Sequence, residues 1–412
     1  MTGSRPAARR LSAAWVIPMD GPPIRRGAVL IGADGRFAAV GTDAEVPAPA
    51  AITAEDFPSA AILPGLVNTH THLELTGLAR DTEPEFAAWV RRIRQVKATR
   101  TPADFLAAAR RGLADCFAAG VTTIADTGDS GAVIEALAEA GGSGIAYHEV
   151  FGPHPDQLDE SFAGFRARIT ELRRFESSRV RLGASPHAPY SVSGPLYRAV
   201  SQWARHEHLP VAVHVSESAD ESRLLADGTG AFADAWAQRG IPRPRGGSTP
   251  LEWLDEHGVL GRGTLCIHAV RASASDISLM KHAGCSVAHC PLSNRAHGHG
   301  EAPLAAFLAA GLTVGVGTDS AVSVGKLDLL AEVRAARALA SLDAGRALRL
   351  CTIDAARALG LDSEVGSIQA GKWGDVAVFE VGRAADPLEA VLASGADAVL
   401  ATCLAGHTVY CR

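Results

Sequence analysis

The middle of the chain alternates between short apolar runs and alanine-rich stretches. Eight apolar runs occur between residues 61 and 320, and each carries a polar residue near its end; they read AILPGLVNTHTH, VTTIADT, GIAYHEVFG, VRLGASPHAPY, VAVHVSES, TLCIHAV, CSVAHCPLS and TVGVGTDS. Stretches such as PADFLAAARRGLADCFAAG separate them and have the composition of helices. Strands that alternate with helices predict a parallel sheet, and eight such units predict a (β/α)8 TIM barrel.

Both ends of the chain show short apolar runs that glycine and aspartate interrupt. Near the N-terminus, VLIGADGRFAAVG predicts two strands joined at Asp34-Gly35, a dipeptide typical of hairpin turns. Near the C-terminus, SIQAGKWGDVAVFEV and AVLATCLAGHTVY show the same pattern. The sequence therefore predicts β structure at both ends and the alternating units between them.

One polar residue marks the end of each predicted barrel strand. These residues are His72, Asp126, His148, His187, Glu217, His268, His289 and Asp319. Because both faces of a parallel barrel strand are buried, polar side chains at the carboxyl ends share one location, the rim of a single cavity. The gaps after the first and fifth strands are the longest, so we expect additional segments over that rim, where lids and substrate loops lie.

Composition and charge exclude several classes of protein. Hydrophobic residues make up 47% of the 412 residues and charged residues 20%, which suits a large core and argues against disorder. The formal net charge of -6 argues against a nucleic-acid partner. No apolar stretch has the length of a membrane span, and the N-terminus lacks the apolar segment of a signal peptide. The seven cysteines form no CxxC pair, which indicates free thiols and a cytoplasmic protein.

The HTH segment at residues 70–72 is the first candidate for metal binding. Alternation along a strand points both of its imidazoles to the same side, and neutral imidazole is a common metal ligand. His214, His268 and Asp319 lie on three further predicted strands. Together these positions predict a metal site at the barrel rim.

Each of these residues also has a purely structural interpretation. The histidine pair and His268 are compatible with hydrogen-bonded core residues. Glu217, three residues after His214, is compatible with a surface position, and Asp319 with the N-cap of the following helix. The concentration of these residues at strand ends favours the metal site over the alternatives.

Five segments give the chain a resemblance to a known family. HTHLE, SPHAPYSVS, HVSES, HCPLSN and GVGTDS resemble, in order and spacing, the amidohydrolase superfamily, in the mononuclear aminohydrolase branch of cytosine, guanine and adenosine-type deaminases and triazine hydrolases. The resemblance covers residues 64–374. It implies an α/β fold in which residues 61–364 form the metal-dependent catalytic barrel, while residues 1–60 and 365–412 together form a small β-sandwich-like domain.

The resemblance also implies one divalent metal ion and a hydrolytic mechanism. The implied ligands are His70, His72, His214 and Asp319, with Zn²⁺ as the favoured ion and Fe²⁺ also suited to the set. The metal would lower the pKa of a bound water, and Asp319 would accept the proton of that water. Glu217 would carry a proton to the ring nitrogen beside the attacked carbon, and His268 would orient the hydroxide and stabilise the tetrahedral adduct.

Two missing sequence features narrow the class. Relatives with two metal ions resemble a scheme in which a lysine of the fourth strand bridges the ions, whereas VRLGASPHAPY contains no lysine, which favours one metal. Zinc deaminases that flip bases combine HxE with PCxxC. His72 and Glu74 supply the first motif, but the sequence contains no PCxxC, so that fold is excluded.

Residues that contact the substrate are predicted from their positions after the strands. The resemblance places His187 against the substrate, and Glu74 is expected to accept hydrogen bonds from an amine or from sugar hydroxyls. Phe86 and Trp89 are spaced for one helix face, where they would line a lid over a ring. The segment after the seventh strand is expected to line the pocket or face solvent, with a second metal at its HGH as the weaker alternative; its polar residues are His289, Asn294, Arg295, His297 and His299.

The HTHLELTGL and HCPLSNRAHGHGEAPL segments narrow the resemblance to the aminodeoxyfutalosine deaminases of menaquinone biosynthesis, which convert a 6-aminopurine nucleoside to its 6-oxo form. Leu292 and the SVGK segment at residues 323–326 depart from the common pattern. We therefore predict a metal-dependent hydrolase of C–N bonds in cyclic amidines, with such a nucleoside as its small-molecule substrate. Deamination of guanine, cytosine or another adenosine-type compound, triazine dechlorination, and a non-catalytic ligand-binding barrel stay open, and the sequence is compatible with a homo-oligomer.

Overall fold

The computed structural model describes residues 8–49, 52–83 and 85–412, which form one sheet of seven strands, one sheet of eight strands and the helices that connect them. The strands are β1 Arg9–Val16, β2 Ile24–Ile31, β3 Phe37–Thr42, β4 Thr53–Pro64, β5 Leu66–Thr71, β6 Val121–Gly128, β7 Ser143–Val150, β8 Val180–Pro186, β9 Val211–Val215, β10 Thr264–His268, β11 Ser286–His289, β12 Thr313–Val316, β13 Val376–Glu380, β14 Val399–Leu404 and β15 His407–Cys411. Each of the eight predicted barrel runs overlaps one of the strands β5 to β12.

Several helices begin at capping residues that can be recognised in the sequence. α2 starts after Thr101, which forms a capping box with Asp104, and α9 starts after Ser273 in the same way with Asp276. The helices are α1 Phe86–Ala98, α2 Pro102–Ala118, α3 Ala132–Ala140, α4 Leu158–Leu172, α5 Gly194–His206, α6 Ala219–Ala226, α7 Ala231–Gln238, α8 Pro250–Glu256, α9 Ala274–Ala283, α10 Pro291–Ala296, α11 Leu304–Ala309, α12 Ala321–Val324, α13 Leu329–Ala340, α14 Ala344–Arg349, α15 Ile353–Ala358 and α16 Pro387–Ala393. In the part of the chain that the structure describes, none of them combines the length and apolar character needed to cross a membrane.

Strands β5 to β12 form an eight-stranded parallel sheet in sequence order, which is the predicted TIM-like barrel. The first and last strands meet at the rim, where Thr71 and Asp319 form a parallel bridge and the Asp319 N–H donates to His70 O at 3.0 Å. The chain therefore uses residues of the candidate site to bring the barrel ends together.

The barrel interior is filled at the end opposite this rim. Ala355 and Leu359, at α15, belong to one buried cluster with strand residues that include Val67, Ile145 and Ile267. A packed interior of this kind leaves the carboxyl ends of the strands as the place for a ligand site. The additional segments expected over the rim are present as α1 after β5 and as α6, α7 and α8 between β9 and β10.

The second sheet combines both ends of the chain, as predicted. Its strand order is β15-β14-β13-β4-β1-β2-β3, and β2 pairs antiparallel with β3 in a hairpin whose Gly35 has a φ of 79°. β4 continues through Gly65 into β5, and a Cβ at Gly65 would lie 2.1 Å from the Thr122 side chain, so a side chain is excluded there. The division into domains at residues 60/61 and 364/365 stays a prediction.

Candidate active site

Histidines from three strands meet at the carboxyl end of the barrel. The ring of His70 is central, and the centroids of three other imidazoles lie 4.7, 4.9 and 5.6 Å from it; they belong to His72, His214 and His268. Asp319 follows β12, and its Oδ1 lies 3.6 Å from Nε2 of both His70 and His72. We call these five residues the histidine cluster. It contains all four predicted metal ligands.

Three residues in or beside the histidine cluster have an unusual backbone conformation. Ser216, His268 and Asp319 adopt positive φ values of 52°, 70° and 57°, a region that residues other than glycine rarely occupy. Such a conformation costs about 1–3 kcal/mol per residue and persists where the surroundings enforce it. At Asp319 the surroundings include two donors to the carboxylate, the Ser320 N–H at 2.7 Å and the Ser293 hydroxyl.

Hydrogen bonds at the outer ring nitrogens orient the imidazoles. His72 Nδ1 donates to Thr127 O at 2.8 Å, and His268 Nδ1 donates to the Asn294 side-chain oxygen at 2.9 Å. Each bond leaves Nε2 of the same ring facing the interior of the site. The sequence predicted only that Asn294 lies on a segment that lines the pocket. The structure shows that it orients the ring of His268.

The cluster fits a divalent metal ion. Both ring nitrogens of His70 are buried and lack a hydrogen-bond partner among the described residues, which is unusual for a buried polar group. Burial lowers the pKa of His70 to about 4 and that of His214 well below its usual value. Neutral imidazoles and an ionised carboxylate are the protonation states that metal binding requires.

Glu217 lies beside the histidine cluster, in the loop between β9 and α6. Its Oε1 is 3.5 Å from His268 Nε2 and 3.3 Å from His299 Nε2. Burial raises the pKa of Glu217, but the two imidazoles outweigh this effect and lower the pKa to about 2. The structure therefore brings a buried carboxylate to the position predicted for the proton carrier.

Glu221 holds this loop and was not identified from the sequence. Its two carboxylate oxygens accept hydrogen bonds from the N–H groups of Ser216 and Glu217, at 2.8 and 2.9 Å. The motif Ser218-x-x-Glu221 is a capping signature that could have revealed it. Here the glutamate reaches past the cap residue to the two amides that precede it.

Aromatic side chains form a wall on one side of the site. The Phe86 ring lies 4.5 Å from that of His299, and the Trp89 ring lies 4.7 Å from that of His297, centroid to centroid. Both aromatic residues come from α1, the helix inserted after β5. The structure thus brings the predicted lid residues to the edge of the site, and their contact with a substrate stays a prediction.

Glu74 lies on the opposite side and is bonded to other protein groups. Its carboxylate pairs with Lys97 and accepts from the Ser130 hydroxyl and, at 3.2 Å, from the Ser130 N–H. Lys97 also pairs with Asp129. We call Glu74, Lys97, Asp129 and Ser130 the Lys97 network. The predicted contact of Glu74 with a substrate stays a prediction.

Strand β7 contributes a residue that the sequence analysis missed. The ring of His148, the polar residue predicted at the end of this strand, stacks on Phe165 at a centroid distance of 6.0 Å. Its neighbour Glu149 is buried instead near His187, with Oε1 4.0 Å from His187 Nε2. Alternation along the strand was the available signal, because neighbouring residues face opposite sides.

The segment after β11 is held against the rest of the protein by hydrogen bonds. His297 Nε2 bonds the Ser323 hydroxyl at 2.9 Å, and Leu292 N–H donates to Glu332 at 2.8 Å. His289 is buried, and Arg295 lies 3.9 Å from Glu301. Among the residues described, His297 and His299 belong to none of the groups compact enough to hold a metal ion.

Beside His299 a cleft of about 640 Å³ opens between the loops that follow β9, β10 and β11.

Comparisons with known proteins agree with this architecture. The amidohydrolase family model matches residues 61–409, so the chain belongs to the amidohydrolase family and the predicted hydrolase class is confirmed.

Individual relatives carry deaminase names. The aminodeoxyfutalosine deaminase of Deinococcus radiodurans is 36% identical over 303 residues, which are 69% of this chain and 70% of that protein. The 5-methylthioadenosine/S-adenosylhomocysteine deaminase of Natronomonas pharaonis is 31% identical over 333 residues, 78% and 73% of the two chains. The crystal structure of an adenosine deaminase from Xanthomonas campestris with bound zinc matches with a TM-score of 0.84 at 26% identity, covering 98% of this chain and 93% of that one.

Proposed function

We propose that the protein is a zinc-dependent aminohydrolase that deaminates a 6-aminopurine nucleoside, with aminodeoxyfutalosine, on the route to menaquinone, as the first candidate substrate. The observation that carries the proposal is the position of Glu217, whose buried carboxylate lies beside the histidine cluster, 3.5 Å from His268 Nε2. The identity of 36% to the enzyme of that name from D. radiodurans supports this choice of nucleoside.

The proposed metal ligands are His70, His72, His214 and Asp319, which share the histidine cluster. A divalent cation bound there supplies the Lewis acidity that makes water a nucleophile near neutral pH. Zinc is the proposed ion because imidazoles and a carboxylate suit it, and the X. campestris structure contains it. Fe²⁺ suits the same ligand set.

The protein groups then move protons during two bond changes. Water adds to C6 of the purine, as one of its protons passes to Asp319 and Glu217 carries the other to the adjacent ring nitrogen. The C–N bond breaks next: the proton held by Asp319 passes to the amino group, which leaves as ammonia, and the ring keeps the oxygen as its new 6-oxo group. His268 stabilises the charge that develops on that oxygen, and Asn294 fixes the orientation of its ring.

The remaining predicted residues are proposed as substrate contacts. Phe86 and Trp89 form the aromatic wall on which the purine ring packs. His187 and Glu74 lie on the far side of the histidine cluster, toward the sugar. A pocket with an apolar wall and a few polar groups is typical of small-molecule sites.

A second candidate substrate is 5-methylthioadenosine or S-adenosylhomocysteine. The N. pharaonis relative that carries these names is 31% identical over 78% of this chain. Both candidates share the 6-aminopurine nucleoside, so they require the same proton transfers. They differ in the group attached to the sugar.

An ammonia-release screen with metal-replete protein tests the proposal. The panel contains aminodeoxyfutalosine, 5-methylthioadenosine, S-adenosylhomocysteine, adenosine, guanine, cytosine and an aminotriazine, with elemental analysis of the same preparation. We expect the highest kcat/KM for one of the 6-aminopurine nucleosides and about one equivalent of metal per chain. Turnover of cytosine or the triazine alone would overturn the substrate, and full activity without metal would overturn the mechanism.

A further inference from the structure

Two hydrogen-bond acceptors face each other beside the histidine cluster. Glu149 Oε1 and His187 Nε2 lie 4.0 Å apart at the ends of the neighbouring strands β7 and β8. Glu149 is only 6% exposed, and its Oε1 has no hydrogen-bond partner among the residues that the structure describes. A buried carboxylate oxygen without a partner is costly, which marks the position as one that a ligand completes.

The hydrogen bonds around His187 define which of its nitrogens carries the proton. The Ser191 hydroxyl donates its single hydrogen to Ala188 O at 3.0 Å. The same hydroxyl oxygen lies 2.7 Å from His187 Nδ1, so it accepts a hydrogen bond from Nδ1–H. In the neutral ring Nε2 is therefore an acceptor, and at 4.0 Å from Glu149 Oε1 it lies beyond hydrogen-bonding distance of that oxygen.

Nearby positive charge is already engaged elsewhere. Lys97 pairs with Glu74 and Asp129 in the Lys97 network. In residues 8–49, 52–83 and 85–412, the one ion-pair distance that involves Glu149 is the 4.0 Å separation from His187. We therefore expect the donors to Glu149 Oε1 and His187 Nε2 to come from a ligand rather than from the protein.

We propose that Glu149 is a specificity-determining residue that, together with His187, binds the vicinal diol of a ribose. Two hydroxyls on adjacent carbons supply the two donors that this pair of acceptors lacks, and a carboxylate is a common partner of ribose hydroxyls. This inference rests on the proposed function, since it assigns the sugar of the nucleoside to a place in the same site.

The position of Glu149 and His187 agrees with the position of Glu217, the proposed proton carrier, on the other side of the histidine cluster. The His187 ring lies 4.9 Å from that of His214, and the His214 ring lies 5.6 Å from that of His268, which is beside Glu217. A nucleoside whose base reaches Glu217 therefore places its sugar on the side of Glu149. Deoxynucleosides and free bases would leave the two acceptors unpaired and are selected against.

The same atoms also suggest a competing occupant. Ligand atoms of Glu149, His187 and His214 lie within 4.8 Å of one another, which is compact enough for a second metal ion. The two occupants make different predictions, because removing the Glu149 carboxylate changes metal content only if it binds metal.

The test measures binding in a background with strongly reduced turnover. In Glu217→Gln protein, we expect adenosine to bind at least about tenfold more tightly than 2′,3′-dideoxyadenosine, by titration calorimetry. Adding Glu149→Gln should reduce this preference to within about threefold, while metal content stays at about one equivalent. Adding Glu332→Gln instead, which changes another buried carboxylate, should leave the preference unchanged. If the Glu149 variant does not fold, His187→Gln tests the same diol from the other side, with the same expected loss.

Several results would overturn the inference. Equal binding of the two nucleosides, no measurable binding of either, or a preference that survives loss of Glu149 would each exclude the diol subsite. A fall from about two metal equivalents to about one in the Glu149 variant would assign the position to a metal instead. Ammonia release by the wild-type protein tests the proposed function separately, since a protein that prefers the diol but releases no ammonia would keep the subsite and lose the reaction.

Discussion

The histidine cluster and the Lys97 network lie on the same barrel rim but differ in how their polar atoms are satisfied. In the network, the Glu74 carboxylate bonds Lys97 and Ser130, so its oxygens have protein partners. In the cluster, both nitrogens of His70 lack a partner in the part of the chain that is described, and Nε2 of His72 faces Asp319 across 3.6 Å. The cluster is the more deeply buried region, yet it is the one whose polar atoms lack partners among the described residues, whereas the network includes the exposed Asp129.

This difference indicates that the histidine cluster serves function, whereas the Lys97 network serves stability. Buried polar groups in folded proteins are normally paired, so a group of unpaired ones at one point requires a ligand to explain it. Positive φ values at His268 and Asp319 add strain in the same place. The Lys97 network, in contrast, is explained by the contacts that its own residues make.

The largest expected effect comes from removing the proton carrier at the edge of the histidine cluster. Glu217→Gln keeps the size of the side chain but cannot carry a proton, so kcat should fall by about a hundredfold or more. Metal content should be unchanged, because Glu217 is not among the proposed ligands. Asp129→Asn, the same loss of a carboxylate charge in the Lys97 network, is the matched control. Loss of metal in proportion to the loss of rate would make Glu217 a ligand instead.

Sequence patterns identified the barrel and most of the rim because both depend on local periodicity. Runs such as VAVHVSES read as buried strands with a polar end, and β9 lies within that run. The closure of the barrel by Thr71 and Asp319 joins residues that are far apart in sequence. Local patterns predicted β structure at each end of the chain. That the two ends form one domain was predicted only from the resemblance to a family.

The partners of the site residues were harder to predict, because they depend on distances between elements. Asn294 was noted only as a pocket-lining residue, yet it accepts the hydrogen bond of His268 across 26 positions in the sequence. On β7, His148 and Glu149 are equally polar, and only packing shows that Glu149 is the one near His187. A pattern of polar residues at strand ends locates the rim but does not distinguish the side that each residue faces.

Asn294→Ala should give the next largest effect, since it removes the acceptor that orients His268. Partners of this kind typically contribute about 10- to 100-fold in activity. We expect the loss in kcat, with KM nearly unchanged, measured by ammonia release at saturating substrate. Asn294→Asp retains an acceptor oxygen and should keep more of the rate. Equal activity of the alanine variant and the wild type would show that the ring is held by packing alone.

Glu74→Gln should affect stability more than rate if the Lys97 network is structural. The variant replaces a charged hydrogen bond to Lys97 with a neutral one, while Asp129 still pairs with the lysine. The free energy of unfolding should fall by about 1–2 kcal/mol, as measured by denaturant titration. A large rise in KM with no change in stability would instead favour the predicted contact of Glu74 with the substrate.

His148 provides the smallest and most selective test, because it is a buried imidazole on the side of the Lys97 network whose Nδ1 has no hydrogen-bond partner among the described residues. Burial lowers the pKa of His148 to about 4 from an ordinary value of 6.5. Between these pH values His148 is protonated in the unfolded chain but neutral in the folded protein. The neutral imidazole therefore contributes to the free energy of unfolding above the ordinary pKa, and this contribution is lost as the pH falls toward 4. His148→Phe removes this titration and keeps a ring against Phe165, at 6.0 Å in the wild type. The drop in unfolding free energy between about pH 8 and about pH 5.5 should therefore be smaller in the variant by about 1 kcal/mol. Both proteins lose metal-dependent stability alike over this range, so the difference between them isolates His148. An identical drop would mean that the imidazole is protonated in the folded protein and has found a partner there.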